Sequence, residues 1–444
     1  MQEYMKALPA SRAPDFQKRT VAAISKFVSK LDLEDLKESE DLLDTLVETL
    51  RDTIMAAPSE CLDHPALDIL FTLASQGASS FQTSMLVSEA FESITSAMAA
   101  LGPESYAHLC AKVLPTLTGA LDVADMTEQA SLSDMAVTLL ASLAENGPTP
   151  LPQGFIATVM PKLYRLLFSN VDFTIHQSAT LTIKHLLIHD AEQIFAWQDT
   201  DTGKGGLEII LLVIDRLLGP GIEDASAAEV GGLAVELVER AGAEKLGPYL
   251  MQLLQIVAIR LSTATHANFV QNLVMVFARL CLTNAQEVID FLSQVQVPEP
   301  NPGSGLEVVM RKWLESCVNF SGYEAIRQNV IALTNIYNLQ DARLSSIPVQ
   351  GDLVAQNSTR IKTRSQSKRE PDQYSTITVP LKLVKVLVQE LVASSPTGST
   401  FKGAKFSTDG HASDDDDDEW EDESNILDLA SPSTRSGKPL NPAV

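Results

Sequence analysis

Apolar side chains recur with helical spacing along most of this chain. Near the N-terminus they follow the i, i+3, i+4, i+7 pattern of an amphipathic α-helix, at Val21, Ile24, Phe27, Val28 and Leu31. The same spacing predicts further helices over residues 42–54, 106–121, 155–168, 233–242, 249–261 and 269–282. Strand patterns, in which β-branched residues alternate between hairpin turns, are absent by comparison. The sequence therefore predicts an all-α protein.

Glycine and proline separate the predicted helices. Short breakers lie at residues 101–105, 146–152, 218–221 and 246–250, where glycine ends one helix and proline favours the start of the next. Their spacing of roughly 30 to 70 residues is compatible with helix pairs about 40 residues long that have loop insertions. Each helix has apolar residues on more than one stripe. We therefore predict an α-solenoid of HEAT-like or armadillo-like helix pairs, and a single globular bundle is the alternative.

The pattern divides the chain into four segments. We predict HEAT-like helical repeats over residues 1–344 and a loop with a basic cluster over 345–376. Helical spacing returns once more, so a last repeat helix is predicted over 377–394. Residues 395–444 are rich in small, polar and acidic side chains and predict a disordered acidic C-terminal tail.

Composition and charge limit the partners that this chain can bind. It has 444 residues, is 45% hydrophobic and has a net charge of −24, so it can bury a core while its surface stays acidic. Residues 1–350 alone contain 22 Lys and Arg against 42 Asp and Glu. Such a surface repels nucleic acid and anionic membranes and attracts basic proteins. We expect no direct nucleic-acid binding and no membrane insertion.

The remaining sequence features favour an intracellular protein. The four cysteines are far apart and predict reduced, buried thiols rather than a disulfide framework: Cys61, Cys110, Cys281 and Cys317. The N-terminus has no apolar stretch typical of a signal peptide. The most apolar run, 207–218, contains charged residues and is too short to span a bilayer. We therefore expect a soluble protein.

Candidate catalytic and metal sites are weak. His185 and His189 lie four residues apart and could face one side of a helix, but no third ligand follows at a useful spacing. Cys61 and His64 form a similar weak pair. The segment 199–206 lacks the spacing of a phosphate loop or an EF-hand, so we interpret it as a flexible loop. We predict no catalytic centre, no metal and no cofactor, and hence no enzyme.

One basic cluster stands out in the acidic chain. Five cations fall within ten residues: Arg360, Lys362, Arg364, Lys368 and Arg369. By composition this cluster could be a nuclear localisation signal, a phosphate-binding patch or a loop that docks on an acidic protein surface. A solvated loop without a partner is the remaining alternative.

An acidic run follows near the C-terminus. Nine carboxylates surround one tryptophan at Asp414, Asp415, Asp416, Asp417, Asp418, Glu419, Trp420, Glu421, Asp422 and Glu423. A solubilising tail is one interpretation, and calcium binding is another, although no glycine or ligand spacing orders the oxygens. Binding of a lysine-rich or arginine-rich protein fits better, because Trp420 adds stacking or cation–π contact to the Coulomb attraction.

Several segments resemble one known family. They are residues 196–206, 212–221, 269–280, 288–300, 338–354 and 359–391. In composition and order they resemble the late repeats of the importin-β (karyopherin-β) superfamily, which have a basic loop, a hydrophobic helix and an acidic insert with an embedded tryptophan. The resemblance is specific from about residue 195 to 392 and looser, as a general HEAT-like pattern, before it.

The resemblance implies a nuclear import receptor that shuttles between cytoplasm and nucleus. Such receptors contact nuclear pore proteins, carry basic cargo such as core histone dimers and ribosomal proteins, and prevent that cargo from aggregating. The family's loop at the position of Arg360 to Arg369 belongs to its cargo-contacting region, so the resemblance implies the same role here.

The chain also departs from the family pattern. The family's N-terminal repeats bind the GTPase Ran, and this sequence starts inside the array, so we expect those repeats to be absent. The alternative to a transport receptor is a non-transport HEAT-repeat scaffold or adaptor with a solubilising tail.

Overall fold

The computed structural model describes most of the predicted helical part. Its described residues are 12–30, 39–63, 65–122, 130–169, 172–247, 249–298, 302–354 and 373–394. The chain divides into two units, Met1–Glu390 and Leu391–Val444, and only the end of one helix is described in the second unit. None of the described helices is both long and apolar enough to cross a membrane. The predicted acidic tail lies outside the described residues.

Helices form nearly all of the described chain. In order they are α1 (Ala13–Val28), α2 (Glu40–Met55), α3 (Ala66–Gly77), α4 (Phe81–Leu101), α5 (Pro103–Ala120), α6 (Ala130–Glu145), α7 (Phe155–Ser169), α8 (Phe173–Ala196), α9 (Gly206–Leu217), α10 (Val230–Leu246), α11 (Tyr249–Thr263), α12 (Ala267–Gln294), α13 (Gly305–Ser316), α14 (Tyr323–Asn338), α15 (Ala342–Ser345) and α16 (Val379–Ser394). Short 3₁₀ turns at Pro58–Asp63 and Cys317–Asn319 extend the ends of α2 and α13.

The helices of the first unit stack in two layers. The even helices, α2 to α14, form one layer in which each packs on the next even helix. The odd helices from α3 to α11 each pack on the even helix that follows them, and α5, α7 and α9 also pack on one another in sequence. Contacts are therefore made between neighbouring helix pairs, as in a solenoid. This arrangement confirms the prediction of an all-α protein built from HEAT-like pairs.

The core is a seam that runs along the stack. One continuous cluster of buried apolar side chains extends from Val21 on α1 to Val386 on α16. Its largest members are almost fully buried, among them Trp313, Tyr106 and Phe91. A seam of this kind results when each helix buries one stripe against its partner and another against the neighbouring pair.

Cations on the odd helices stabilise the ends of preceding helices. Carbonyl groups at a helix end have no partner within the helix and attract positive charge. Four such contacts recur at N···O distances of 2.7 to 2.9 Å: Lys112 to Leu62, Arg165 to Leu121, Arg216 to Leu167 and Lys312 to Ala264. In the same way, Arg260 donates at 3.0 Å to the Ile222 carbonyl in the segment between α9 and α10. Each contact links one helix pair to the preceding part of the stack.

Two short hairpins interrupt the helices, although the sequence shows no clear strand pattern. β1 (Gln296–Val297) pairs with β2 (Gly303–Ser304), and β3 (Pro348–Leu353) pairs with β4 (Tyr374–Thr378), both antiparallel. The segment predicted as a loop over 345–376 thus contains β3 and most of β4. Strands this short depend on non-local pairing, which local spacing does not show.

Three consecutive even helices change direction along their length. α8 has a non-helical backbone at Asp190, α10 at Gly242 and α12 at Asn284. Gly242 has a φ of +62°, a conformation that favours glycine. The Asp190 carboxylate accepts hydrogen bonds from the backbone N–H of Leu151 and of Gln193, so it caps the segment of α8 that follows the kink.

The even helices α10 and α12 pack closely at Gly231. A Cβ atom at this position would lie 2.4 Å from the backbone carbon and oxygen of Asn272 on α12. The Asn272 side chain also donates to the Ala228 carbonyl at 2.7 Å. Only glycine lets α10 and α12 pack this closely.

We predict that Gly231→Ala destabilises the stack. The added methyl group must push α10 from α12, which lowers the free energy of unfolding by about 1–3 kcal/mol. Urea unfolding followed by circular dichroism measures this change. Gly221→Ala is the matched control, because a Cβ there meets no atom within 4 Å. An equal loss of unfolding free energy in Gly231→Ala and Gly221→Ala would contradict the close packing at Gly231.

Candidate functional site

The two charged segments predicted as binding sites lie outside the described residues. These are the basic cluster at Arg360, Lys362, Arg364, Lys368 and Arg369, and the acidic run over 414–423. The structure places the chain on both sides of the first segment. The Val354 N–H donates to the Gln373 carbonyl at 2.7 Å, next to the β3–β4 hairpin. The two ends of the segment 355–372 are therefore held close together.

A group of exposed carboxylates lies on the solvent sides of α2 and α4. Its members, which we name the α2–α4 acidic face, are Glu40, Asp41, Glu48, Glu89 and Glu92. The structure pairs none of these five with a cation in the part of the chain that it describes. Between the two helices, the Asp44 carboxylate accepts from the Gln82 amide and the Thr83 hydroxyl, each at 2.8 Å. These bonds hold α2 and α4 side by side.

Other carboxylates are engaged within the stack. Asp122 pairs with Lys162 and Arg165, and the hydrogen bonds from these two cations lower its pKa. On α10 and α12, Arg279 contacts both Glu236 and Glu239. Further along, Arg343 pairs with Asp290 and Asp341. These acids neutralise local cations and join residues that are far apart in the sequence.

The pair of Asp224 and Arg260 is the most buried of these ion pairs. The Arg260 guanidinium donates to the Asp224 carboxylate at 2.6 Å, and their side chains are only 10% and 15% exposed. The other carboxylate oxygen accepts from the backbone N–H of Thr265 and of His266, at the start of α12. Burial alone would raise the pKa of Asp224, but these hydrogen bonds outweigh it and lower the pKa.

In the histidine pair considered as a metal site, His189 has other hydrogen-bond partners. Burial lowers the pKa of His185 to about 4, with smaller contributions from Lys184 and His189. The His189 ring is within hydrogen-bond distance of the Thr149 hydroxyl and the Glu145 carbonyl, at 3.0 and 3.1 Å. Within the described ranges no group of three or more His, Cys, Asp or Glu side chains could hold a metal ion.

All four cysteines are buried, and none of them forms a disulfide. Burial raises the pKa of Cys110, Cys281 and Cys317 to about 12, so these thiols stay protonated at neutral pH.

The segment 199–206 is a hydrogen-bonded turn rather than the flexible loop that we interpreted from its composition. The Asp199 carboxylate accepts from the Thr202 N–H at 2.9 Å and from its hydroxyl at 2.5 Å. The Gly206 N–H donates to the Trp197 carbonyl at 3.0 Å. Hydrogen bonds between an Asp side chain and the backbone a few residues later stabilise turns.

Comparison with known proteins finds similarity to importins. Residues 1–78 match a family model described as importin-9 central HEAT repeats. Over 389 residues the chain is 29% identical to importin subunit beta-5 of Schizosaccharomyces pombe, with 87% of this chain and 37% of the relative covered. The chain is thus similar to an importin over most of its length.

Two further relatives extend this match to other importin-β family members. The chain is 27% identical over 441 residues to importin subunit beta-5 of Saccharomyces cerevisiae, which covers 96% of the chain and 42% of that protein. It is 26% identical over 286 residues to importin-9 of Drosophila melanogaster, which covers 63% of the chain and 27% of that protein. The chain thus spans about two fifths of the length of the two beta-5 relatives.

The ion pair at Asp224 gives a testable property of the helix stack. We predict that Asp224→Asn lowers the free energy of unfolding by about 1–3 kcal/mol, because the largely buried Arg260 loses its counter-charge. The pKa of Asp224 is lowered in the folded state. Its stabilising effect is therefore complete above about pH 4, the unfolded pKa, and is lost as the pH falls through the folded pKa.

Urea unfolding between pH 7 and pH 3 measures both effects. The difference between wild type and Asp224→Asn should be constant above about pH 5 and shrink at lower pH. Glu324→Gln is the control, since its pair with Arg327 is more than half exposed on both sides and contributes about 0–1 kcal/mol. If the difference in free energy of unfolding between wild type and Asp224→Asn is the same at pH 3 as at pH 7, the lowered pKa of Asp224 is contradicted.

Proposed function

We propose that this chain is part of a nuclear import receptor that binds basic cargo proteins and prevents their aggregation. The expected cargo includes core histone dimers and ribosomal proteins, and the receptor carries it past nuclear pore proteins as it shuttles between cytoplasm and nucleus. Similarity to importins supports the transport role. The observation that supports basic cargo most directly is the α2–α4 acidic face.

The acidic face can bind cations without disrupting the stack. Its five carboxylates form no ion pair within the described part of the chain, so a basic partner does not compete there with an internal cation. The net charge of −24 adds long-range attraction that raises the rate of encounter. Both effects weaken as salt increases, because the Debye length falls to about 8 Å at physiological ionic strength.

The two charged segments outside the described residues have complementary roles in this proposal. The acidic run over 414–423 binds the same basic cargo, with Trp420 adding an aromatic contact. The basic cluster over 360–369 contacts acidic surface on the cargo, as histone dimers present both charges. The described residues on either side support this role, because β3 pairs with β4 and the Asp352–Lys385 ion pair joins β3 to α16.

Neutralising the α2–α4 acidic face should weaken cargo binding. We predict that the combined variant of Glu40→Gln, Asp41→Asn, Glu48→Gln, Glu89→Gln and Glu92→Gln binds core histone dimers about tenfold more weakly at physiological salt. Its affinity should also depend less on salt. Fluorescence titration across a salt series measures both quantities.

The matched control removes the same charge from elsewhere. It neutralises five exposed acids on or beside the odd helices: Asp68, Glu104, Glu208, Asp215 and Glu223. The control variant should bind within about threefold of wild type. Equal weakening in both variants would leave only net charge as the cause. Salt-insensitive or absent binding by wild type would instead support a non-transport scaffold.

The segments outside the described residues are tested by a second titration. Deleting residues 409–423 should weaken histone-dimer binding and reduce its salt dependence, because ten carboxylates are lost. The double charge reversal Arg364→Glu and Lys368→Glu should weaken it too. Unchanged affinity in the deletion would make the tail a passive solubiliser, and unchanged affinity in the reversal would exclude the basic cluster from the site.

A further inference from the structure

Two large apolar side chains are exposed beside the carboxylates of the α2–α4 acidic face. Phe81, the first residue of α4, is 85% exposed, and Met85 one turn later is 45% exposed. Glu89 and Glu92 follow in the next two turns, and this spacing puts all four side chains on one side of α4. The opposite side of α4 is buried in the core. The exposed side of α4 therefore has an apolar end and an acidic end.

The backbone that carries Phe81 is held on both sides. Before it, the Ser80 hydroxyl caps α4 by accepting a hydrogen bond from the Thr83 N–H at 3.3 Å. After it, the Gln82 amide and the Thr83 hydroxyl donate to Asp44 on α2, each at 2.8 Å. An aromatic side chain on a fixed backbone loses little conformational entropy when a partner covers it. Phe81 therefore has the properties of an anchor for a binding partner.

Carboxylates without an internal cation adjoin the two apolar side chains. The hydrogen bonds to Asp44 hold the start of α4 near the start of α2, where Glu40 and Asp41 are exposed. On α4 itself, Glu89 lies one turn after Met85. None of these three glutamates and aspartates is in an ion pair within the described ranges of the chain. An apolar partner of this surface needs positive charge as well, because covering these carboxylates without a counter-charge is unfavourable.

We propose that Phe81 and Met85 bind the apolar side chains of a basic amphipathic segment of the cargo, while the α2–α4 acidic face pairs with the lysine and arginine residues of that segment. A wholly polar basic partner would leave the two apolar side chains in water. A second copy of this chain would bring the same acids and the same net charge of −24, and would be repelled. The inference rests on the proposed function, since it names the kind of basic segment that the acidic face selects.

Two peptides of equal charge test the apolar contact by fluorescence titration. One is a lysine-rich amphipathic peptide that contains leucines, and the other has serine in place of each leucine. We expect the full chain to bind the leucine peptide about tenfold more tightly, and Phe81→Ser to reduce that preference to about twofold. Tyr323→Ser is the matched control, because Tyr323 is also the first residue of an even helix and is 83% exposed. It should keep the wild-type preference, and thermal melting verifies that both variants are folded.

Methionine oxidation locates the bound peptide on the surface. Hydrogen peroxide converts exposed methionine to the sulfoxide, and mass spectrometry measures the rate at each residue. The leucine peptide should slow the oxidation of Met85 several-fold and leave that of Met251, which is 51% exposed on α11, unchanged. Protection of Met85 that rises with protein concentration in the absence of peptide would identify a second copy as the occupant and overturn the inference.

The outcomes separate this inference from the proposed function. If Phe81→Ser keeps the wild-type preference, or Met85 is not protected, the apolar contact is wrong, while salt-sensitive binding of core histone dimers would still support the proposed function. If histone dimers do not bind but the leucine peptide binds with the expected dependence on Phe81, the proposed function is wrong and the docking surface stands. Equal binding of the two peptides by wild type, or binding of neither, also overturns the inference.

Discussion

Contact between consecutive helix pairs is the constraint on which the described structure depends. A pair of amphipathic helices cannot bury both apolar stripes alone, so each pair requires its neighbour to complete the core. The continuous apolar seam of the first unit is the result. At Gly231 the backbone of α10 lies directly against the backbone of α12, with no room for a Cβ atom. On the odd helices, cations donate hydrogen bonds to carbonyl groups at the ends of preceding helices, as Arg216 does to Leu167. Stability is therefore distributed over interfaces rather than concentrated in one centre.

This architecture divides the acidic residues into two groups with different consequences. Asp122, Asp224 and Asp290 pair with cations from later helices and contribute to stacking. Glu48 and Glu89 belong to the unpaired acidic face on α2 and α4 and remain open to solvent. Binding of a basic protein can therefore use the second group while the first maintains the stack. This separation matters because a basic partner that competed for the stacking ion pairs would destabilise the stack.

The sequence predicts the helices and their pairing better than the features between them. The spacing at Leu109, Val113 and Leu117 predicts α5, since all three side chains are buried on one face. Local patterns cannot show the Asp224–Arg260 pair, whose partners are 36 residues apart and meet only when two helix pairs stack. The β3–β4 hairpin depends likewise on pairing across 20 residues or more, such as Val349 with Ile377. The kink at Asn284 arises from helix packing, which the spacing of apolar residues in the sequence does not show.

Zero-length cross-linking of this chain to a core histone dimer tests most directly whether the even layer binds basic protein. The reaction joins a carboxylate to a lysine amine in direct contact, and mass spectrometry identifies both residues. We expect cross-links from Glu48, Glu89 or Glu92 on the acidic face, all reduced at high salt. Cross-links confined to acids of the odd helices, such as Glu208 and Asp215, would contradict this expectation.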